Sequence, residues 1–244
     1  MCFHISNTKS AKQNEERFEA SFIASEIYEP TYHFTGFENR YMYIIKQDEY
    51  DDIQPAYWGL LPEYAKISER KKFLGKYKTY NATAERILKR ESMAAKSIMD
   101  QRCLILVDGF IEPHYVSGVS IPHYIKYKDH SLFAFAGVYT ELDDGLYTAT
   151  IITTKANDYF ASVHNKKKNG SFRMPLVLDQ YNEIDWLSGD LNEGDVDELL
   201  FSFTKKEFED YPVSKKVEKG NVNYPEILER VDYSELNNSL FDNN

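Results

Sequence analysis

Arg102-Cys103-Leu104-Ile105-Leu106-Val107-Asp108-Gly109-Phe110-Ile111-Glu112 sets two apolar runs on either side of an Asp-Gly pair. It reads as strand, turn, strand, with Asp108-Gly109 supplying the turn. Cys103 sits inside the apolar run and is expected as a buried structural thiol. Outward from it, β-rich runs recur at 121–127, 132–139 and 146–153, separated by Asp129-His130 and Asp143-Asp144-Gly145. Further strands are expected at 41–46, at 56–62 where Pro62 ends the run, and at 173–178. Residues 66–78 read as a basic, irregular connection.

Helices are expected between and beyond these runs. One spans 83–99, capped by Thr83, with Ile87, Leu88, Ala94, Ala95 and Ile98 on its apolar face. Others are expected at 155–163, 180–188, 193–203 and 223–230, and residues 11–20 read as a short exposed helix or loop. No repeat and no Pro/Gly/Ser-rich linker divides the chain. The fold class is therefore α+β: a single domain over 2–236, mostly antiparallel, with helices packed outside. Residues 237–244 are expected to form a disordered tail.

The 244 residues suffice for one large domain, and 42% hydrophobic with 28% charged residues is an ordinary globular balance. No apolar run reaches the roughly 18–20 residues of a membrane span, and the N-terminus lacks a signal core. Two cysteines are too few for a disulfide framework or a Cys-based zinc site. The six histidines show no HExxH or close ligand spacing. A cytoplasmic monomer without metal or cofactor is expected. The net charge is −10, but residues 66–102 carry 11 basic against 4 acidic residues, or +7. Tyr64, Phe73, Tyr77 and Tyr80 are interleaved with or border those charges. A basic stretch with aromatics is the composition of a surface that tracks phosphates and stacks bases, and also that of a solvated helix–loop face.

Cys2 follows the initiator methionine, and its small side chain permits removal of Met1. Removal leaves an amine and a thiol on one residue. The amine can condense with an aldehyde to an imine, and the thiol can then close a five-membered thiazolidine. An unperturbed α-amine titrates at about 7.7–8.0, so the group is usable near neutrality.

Four stretches together resemble the SRAP (SOS response-associated peptidase) family: Met1-Cys2; Trp58-Gly59-Leu60-Leu61-Pro62; Asn81-Ala82-Thr83-Ala84-Glu85; and Arg102 to Glu112. Ala134-Phe135-Ala136-Gly137, Thr148 to Asn157, His164 with Arg173-Met174-Pro175, and Pro212-Val213-Ser214 extend the likeness to about residue 230. The resemblance implies a β-barrel-like sheet core and a partner, single-stranded DNA carrying abasic sites. It implies that Cys2 attacks the ring-opened aldehyde, Asn81 orients Cys2, Glu112 moves protons, and His164 acts on the sugar hydroxyl. DNA contacts are expected from Trp58, Thr83, Arg86, Lys71, Lys72 and Arg173.

The chain departs from the common pattern in three places. Thr83 replaces an Arg, Phe3-His4 replaces Gly-Arg, and Pro113 replaces an aromatic residue. Lys66, Lys71, Lys72, Arg86, Arg102 and Lys166-Lys167-Lys168 are candidate substitutes for the lost basic contacts. Two other readings stay open: an N-terminal-nucleophile cysteine peptidase using Asn81 as oxyanion donor, and a noncatalytic single-strand binder.

Overall fold

Alternation along residues 102–107 splits the core in two. Cys103, Ile105 and Val107 join one buried cluster with Ile44, Phe110, Phe133 and Phe135. Leu104 and Leu106 join a second with Ile45, Ala134, Ala136 and Trp186. Successive strand residues point to opposite faces, so this strand is covered on both, which accounts for its unbroken apolar run.

The computed structural model describes residues 2–167 and 170–234. Among them the strands are β1 (His4–Asn7), β2 (Ser21–Phe22), β3 (Thr31–Thr35), β4 (Tyr41–Lys46), β5 (Glu49–Trp58), β6 (Asn81–Thr83), β7 (Arg102–Val107), β8 (Gly109–Val116), β9 (Val119–Tyr127), β10 (Phe133–Glu141), β11 (Tyr147–Lys155), β12 (Arg173–Pro175) and β13 (Phe208–Pro212). The α-helices are α1 (Ala11–Phe18), α2 (Arg70–Tyr77), α3 (Ala84–Leu88), α4 (Asp158–Val163), α5 (Gln180–Leu187) and α6 (Glu193–Phe201).

The larger sheet runs β12-β11-β10-β7-β4-β5-β2, and β11 also pairs in parallel with β5 and β6. The sheet thus curls back on itself into a barrel-like core. A second, antiparallel sheet runs β13-β9-β8-β1-β3. The first cluster is filled from both sheets, with Ile5, Phe34, Phe110 and Ile125 meeting Ile44, Ile105 and Ile151. The second lies beneath α3, α5 and α6, which contribute Ile87, Trp186 and Leu200. This is the expected α+β architecture of mostly antiparallel strands with helices outside.

Several local expectations are corrected. Asp108-Gly109 is not a hairpin turn: the chain passes from β7 in one sheet to β8 in the other. Asp108 is held at that crossing because its carboxylate accepts from Ser6 Oγ (2.7 Å), Thr8 N (3.1 Å) and Thr8 Oγ1. Gly109 is needed for space, since a Cβ there would lie 2.2 Å from the Tyr124 hydroxyl oxygen. The helix expected over 83–99 stops at Leu88, and Thr83 makes no side-chain cap. Arg90 takes a positive φ of 55°. Arg90 N donates to Ile87 O and Glu91 N to Arg86 O (2.9 and 3.0 Å), the paired bonds of a Schellman stop. A separate 3-10 turn covers Met93–Lys96. The connection at 66–78 is not irregular but carries α2. The 56–62 strand ends at Trp58, where Gly59 at φ +111° turns the chain. The expected helix at 223–230 is only a 3-10 turn, Pro225–Leu228. The expected tail at 237–244 lies outside the described residues.

Candidate active site

Cys2 enters the first core cluster just ahead of β1 and is fully buried. Its carbonyl accepts from Asn81 Nδ2 at 2.8 Å, and its Sγ lies 3.6 Å from His4 O. Asn81 reaches it because β6 pairs in parallel with β11, setting Asn81 opposite Ile151. The preceding residue is pinned as well: Trp58 Nε1 donates to Tyr80 O at 2.8 Å. Burial pushes the Cys2 thiol well above its ordinary pKa, and the Glu112 charge pushes the same way. At neutral pH this sulfur is a thiol.

Glu112 lies on β8, two residues after the buried Phe110 and therefore on the same face. It is nearly fully buried, and its Oε2 stands 2.9 Å from His164 Nδ1. Burial alone would raise the Glu112 pKa. The positive amino terminus and the His164 contact reverse this and hold it below the ordinary carboxylate range. His164 is the C-terminal cap of α4, whose start is fixed by Asn157 Oδ1 accepting from Phe160 N (3.0 Å). Two further contacts fix that helix. His114 Nδ1 donates to Val163 O at 2.9 Å, and Tyr159 OH donates to Asp210 Oδ1 at 2.8 Å. Asp210 also meets His123 Nδ1 at 2.7 Å, and His123 faces Glu112 across β8 and β9. His114, His123, Tyr159 and Asp210 were not singled out from the sequence. They carry no local motif and meet only through strand pairing.

Glu112 and His164 line a cavity of about 240 Å³ together with Phe3, His4, Pro113 and Pro122. Among the described residues no cluster of three or more His, Cys, Asp or Glu could hold a metal ion. No described helix is long and apolar enough to cross a membrane. A family profile described as "SOS response associated peptidase (SRAP)" matches residues 1–220. The chain belongs to the SRAP family. It is 34% identical over 214 residues to the abasic site processing protein YoqW of Bacillus subtilis, covering 85% of this chain and 89% of that one. The abasic site processing protein HMCES of Gallus gallus is 28% identical over 154 residues, covering 53% and 43%. A Bacteroides thetaiotaomicron crystal structure superposes with a TM-score of 0.80 at 30% identity, covering 95% of this chain and 100% of that one.

Within this SRAP chain, Cys2, Asn81, Glu112 and His164 come together from four distant points of the sequence. The expected DNA contacts divide. Lys71 and Lys72 on α2 and Arg86 on α3 are exposed. Thr83 is half-buried at the end of β6. Trp58 is fully buried and cannot stack on a base. Arg173 is engaged by Glu85, with Nη1 and Nη2 at 2.7 and 3.0 Å from its two carboxylate oxygens, and by Thr153 O at 2.6 Å. Two of the sequence stretches thus meet as a bidentate pair that ties α3 to β12. Arg102 is no phosphate ligand: it is fully buried and donates to the carbonyls of Trp186, Ile98, Met99 and Ser188. Lys66 is exposed. Lys166 lies over the Tyr115 ring and Lys167 over that of Phe172, while Lys168 falls outside the described residues.

His4 replaces the common Arg with a different device. His33 Nδ1 lies 3.1 Å from Val222 O, which can only accept, so this nitrogen carries a proton. Burial lowers the His33 pKa, and in the neutral ring Nε2 must then accept. His4 Nδ1, 2.9 Å away, is its donor. Burial, reinforced by His33, lowers the His4 pKa to about 4. His4 is therefore neutral at pH 7, with its acceptor lone pair on Nε2.

Proposed function

We propose that this protein captures abasic sites in single-stranded DNA as a covalent thiazolidine at Cys2. The observation that carries the reading is the convergence on Cys2: Asn81 on its carbonyl, and the buried Glu112–His164 pair beside it. Hydrolysis of the Met1–Cys2 bond first frees the Cys2 amine. That amine adds to the C1 aldehyde of the ring-opened sugar, and Glu112 takes its proton. Glu112 returns the proton to the departing hydroxyl, water leaves, and an imine forms. The thiol then adds across the C=N bond, its hydrogen going to nitrogen. In sum, aldehyde and aminothiol give thiazolidine and one water. The raised thiol pKa favours this order, because the neutral amine is the available nucleophile while sulfur keeps its proton.

Asn81 Nδ2 fixes the Cys2 carbonyl, and its buried Oδ1 has no hydrogen-bond partner among the described residues and can accept from the Cys2 amine. His164 would exchange a proton with the sugar hydroxyl that appears when the ring opens. The exposed Lys71, Lys72 and Arg86 supply phosphate contacts. This favours crosslinking over general peptidase action. The Asn81 amide is committed to the Cys2 carbonyl and is not free to act as the oxyanion donor that a peptidase using Cys2 on other substrates would need.

The test is intact-mass spectrometry of wild type and Cys2→Ala after incubation with an abasic single-stranded oligonucleotide. The wild type should lose Met1 and gain the oligonucleotide mass less one water. The variant should show no stable adduct. An adduct of equal yield on Cys2→Ala would remove Cys2 from the mechanism.

A further inference from the structure

Phe37 is 65% exposed, yet it sits at the apex of an unusually well-fixed turn. Glu38 N donates to Thr35 O at 3.0 Å. The buried Glu38 carboxylate accepts from Thr35 N, Thr35 Oγ1 and Asn221 N at 3.2, 3.1 and 3.3 Å. The buried Arg70 guanidinium donates to Gly36 O at 2.9 Å and to Glu38 O at 3.3 Å. Gly36 N donates to Phe3 O at 3.2 Å, tying the turn to the residue after Cys2. A Cβ on Gly36 would lie 2.8 Å from Tyr80 Cδ1, so glycine there lets the Tyr80 ring close in beneath.

The result is a three-ring assembly. Phe37 stacks on Phe3, with centroids 5.5 Å apart and planes inclined by 21°. Both meet the edge or face of Tyr80, at 5.1 and 6.0 Å. Phe3 lines the cavity with Glu112 and His164, and Tyr80 precedes Asn81. A single exposed phenylalanine is ordinary on a protein surface. This one is held by two buried charged side chains and stacked in line with the catalytic cavity.

We propose that Phe37 and Phe3 form a stacking platform for the nucleobase that flanks the abasic sugar. The proposal rests on the abasic-site reading above and specifies what holds the strand. An abasic nucleotide has no base to recognise, so affinity beyond phosphate contacts must come from its neighbours. Base–aromatic stacking suits this because every base has a π-face, whatever the sequence. A ring already fixed in its bound position loses little conformational freedom on binding.

The test is a cycle between protein and DNA. Single-stranded oligonucleotides carry a tetrahydrofuran abasic analogue, with either a normal base or a second analogue at each flanking position. Noncovalent affinity is measured for wild type, Phe37→Ala, Phe37→Leu and Phe37→Trp. Phe37→Ala and Phe37→Leu should each weaken binding about fivefold to 150-fold, and Phe37→Trp should keep it. Leu preserves apolar bulk without a π-face, so a shared loss assigns the effect to stacking. Deleting the flanking base on one side should weaken wild type by a similar factor and leave Phe37→Ala unchanged. A 2-aminopurine at that position should be quenched by wild type and not by Phe37→Ala. Wild-type affinity in Phe37→Ala, or base deletion and Phe37→Ala acting as independent factors, would overturn the platform while leaving a Cys2 crosslinker intact. Absence of both binding and crosslinking in wild type would overturn the abasic-site reading and the platform with it.

Discussion

Replacing Glu112 by Gln separates proton transfer from packing. The two side chains are nearly isosteric, so the buried volume between β8 and His164 stays filled. What disappears is one negative charge and the basic oxygen 2.9 Å from His164 Nδ1. Two consequences oppose each other. Loss of the charge removes one of the influences that raise the Cys2 thiol pKa, although burial, the larger cause, remains. Thiol addition should therefore be no slower. Loss of the acid–base group should slow imine formation on the order of 10²- to 10⁴-fold, a barrier higher by about 3–5 kcal/mol. The second effect wins because the first only assists the later step. The assay is single-turnover crosslinking, with borohydride trapping of the imine to show which step is slow. Noncovalent affinity should change little, and thermal unfolding checks that the variant folds. Because the Glu112 pKa is held below its ordinary value, its carboxylate persists at pH 5–6. The acid-side fall in wild-type rate should then follow the α-amine, near its unperturbed pKa of about 8. A folded Glu112→Gln variant that crosslinks at the wild-type rate would return Glu112 to a packing role.

Further outcomes are expected for four variants. His164→Ala should slow crosslinking more with a closed abasic sugar than with a pre-opened aldehyde, and equal defects on both would remove the ring-opening role. His4 has its folded-state pKa pulled below 6.5 to about 4, so its contribution is complete above about pH 6.5 and is lost as the pH falls towards 4, where only the unfolded chain binds the proton. Urea unfolding should show that loss as smaller in His4→Phe, on the order of 2–3 kcal/mol, and identical pH profiles would refute the assignment. Arg102→Met strands carbonyls that a buried guanidinium now satisfies and should cost more than about 3 kcal/mol in chemical denaturation. It should leave the salt dependence of DNA binding unchanged, whereas Lys71→Ala should reduce the log–log slope by about 0.7.

The strands with long apolar runs, β4, β7, β9, β10 and β11, were legible because hydrophobic period is a local property. So were α5 and α6, from composition and spacing, whereas the polar segment of α1 read equally as helix or loop. That Asn81, Glu112 and His164 gather near Cys2 was to be expected only from the combined motifs, since each alone reads as a cap, a solvated acid or a structural ring. Three strands of the second sheet were not legible. β1, β3 and β13 are four or five residues long, and β1 is defined by pairing His4 with Ile111 and Thr35, which no local pattern encodes. Asp108-Gly109 has the composition of a turn, yet Tyr124 and Ser6 make it a crossing between sheets. Arg70 and Arg102 count as surface charge in any composition and are buried, because the carbonyls that satisfy them are assembled only when distant segments meet. Trp58 and Phe37 exchanged places for the same reason: the tryptophan of a motif fills the core, while an unremarked phenylalanine stands in solvent beside the cavity. Sequence alone was enough for the long apolar strands and for placing a cysteine second in the chain. Which charges and rings face the cavity emerges only on folding, because facing depends on pairing between residues far apart in the chain.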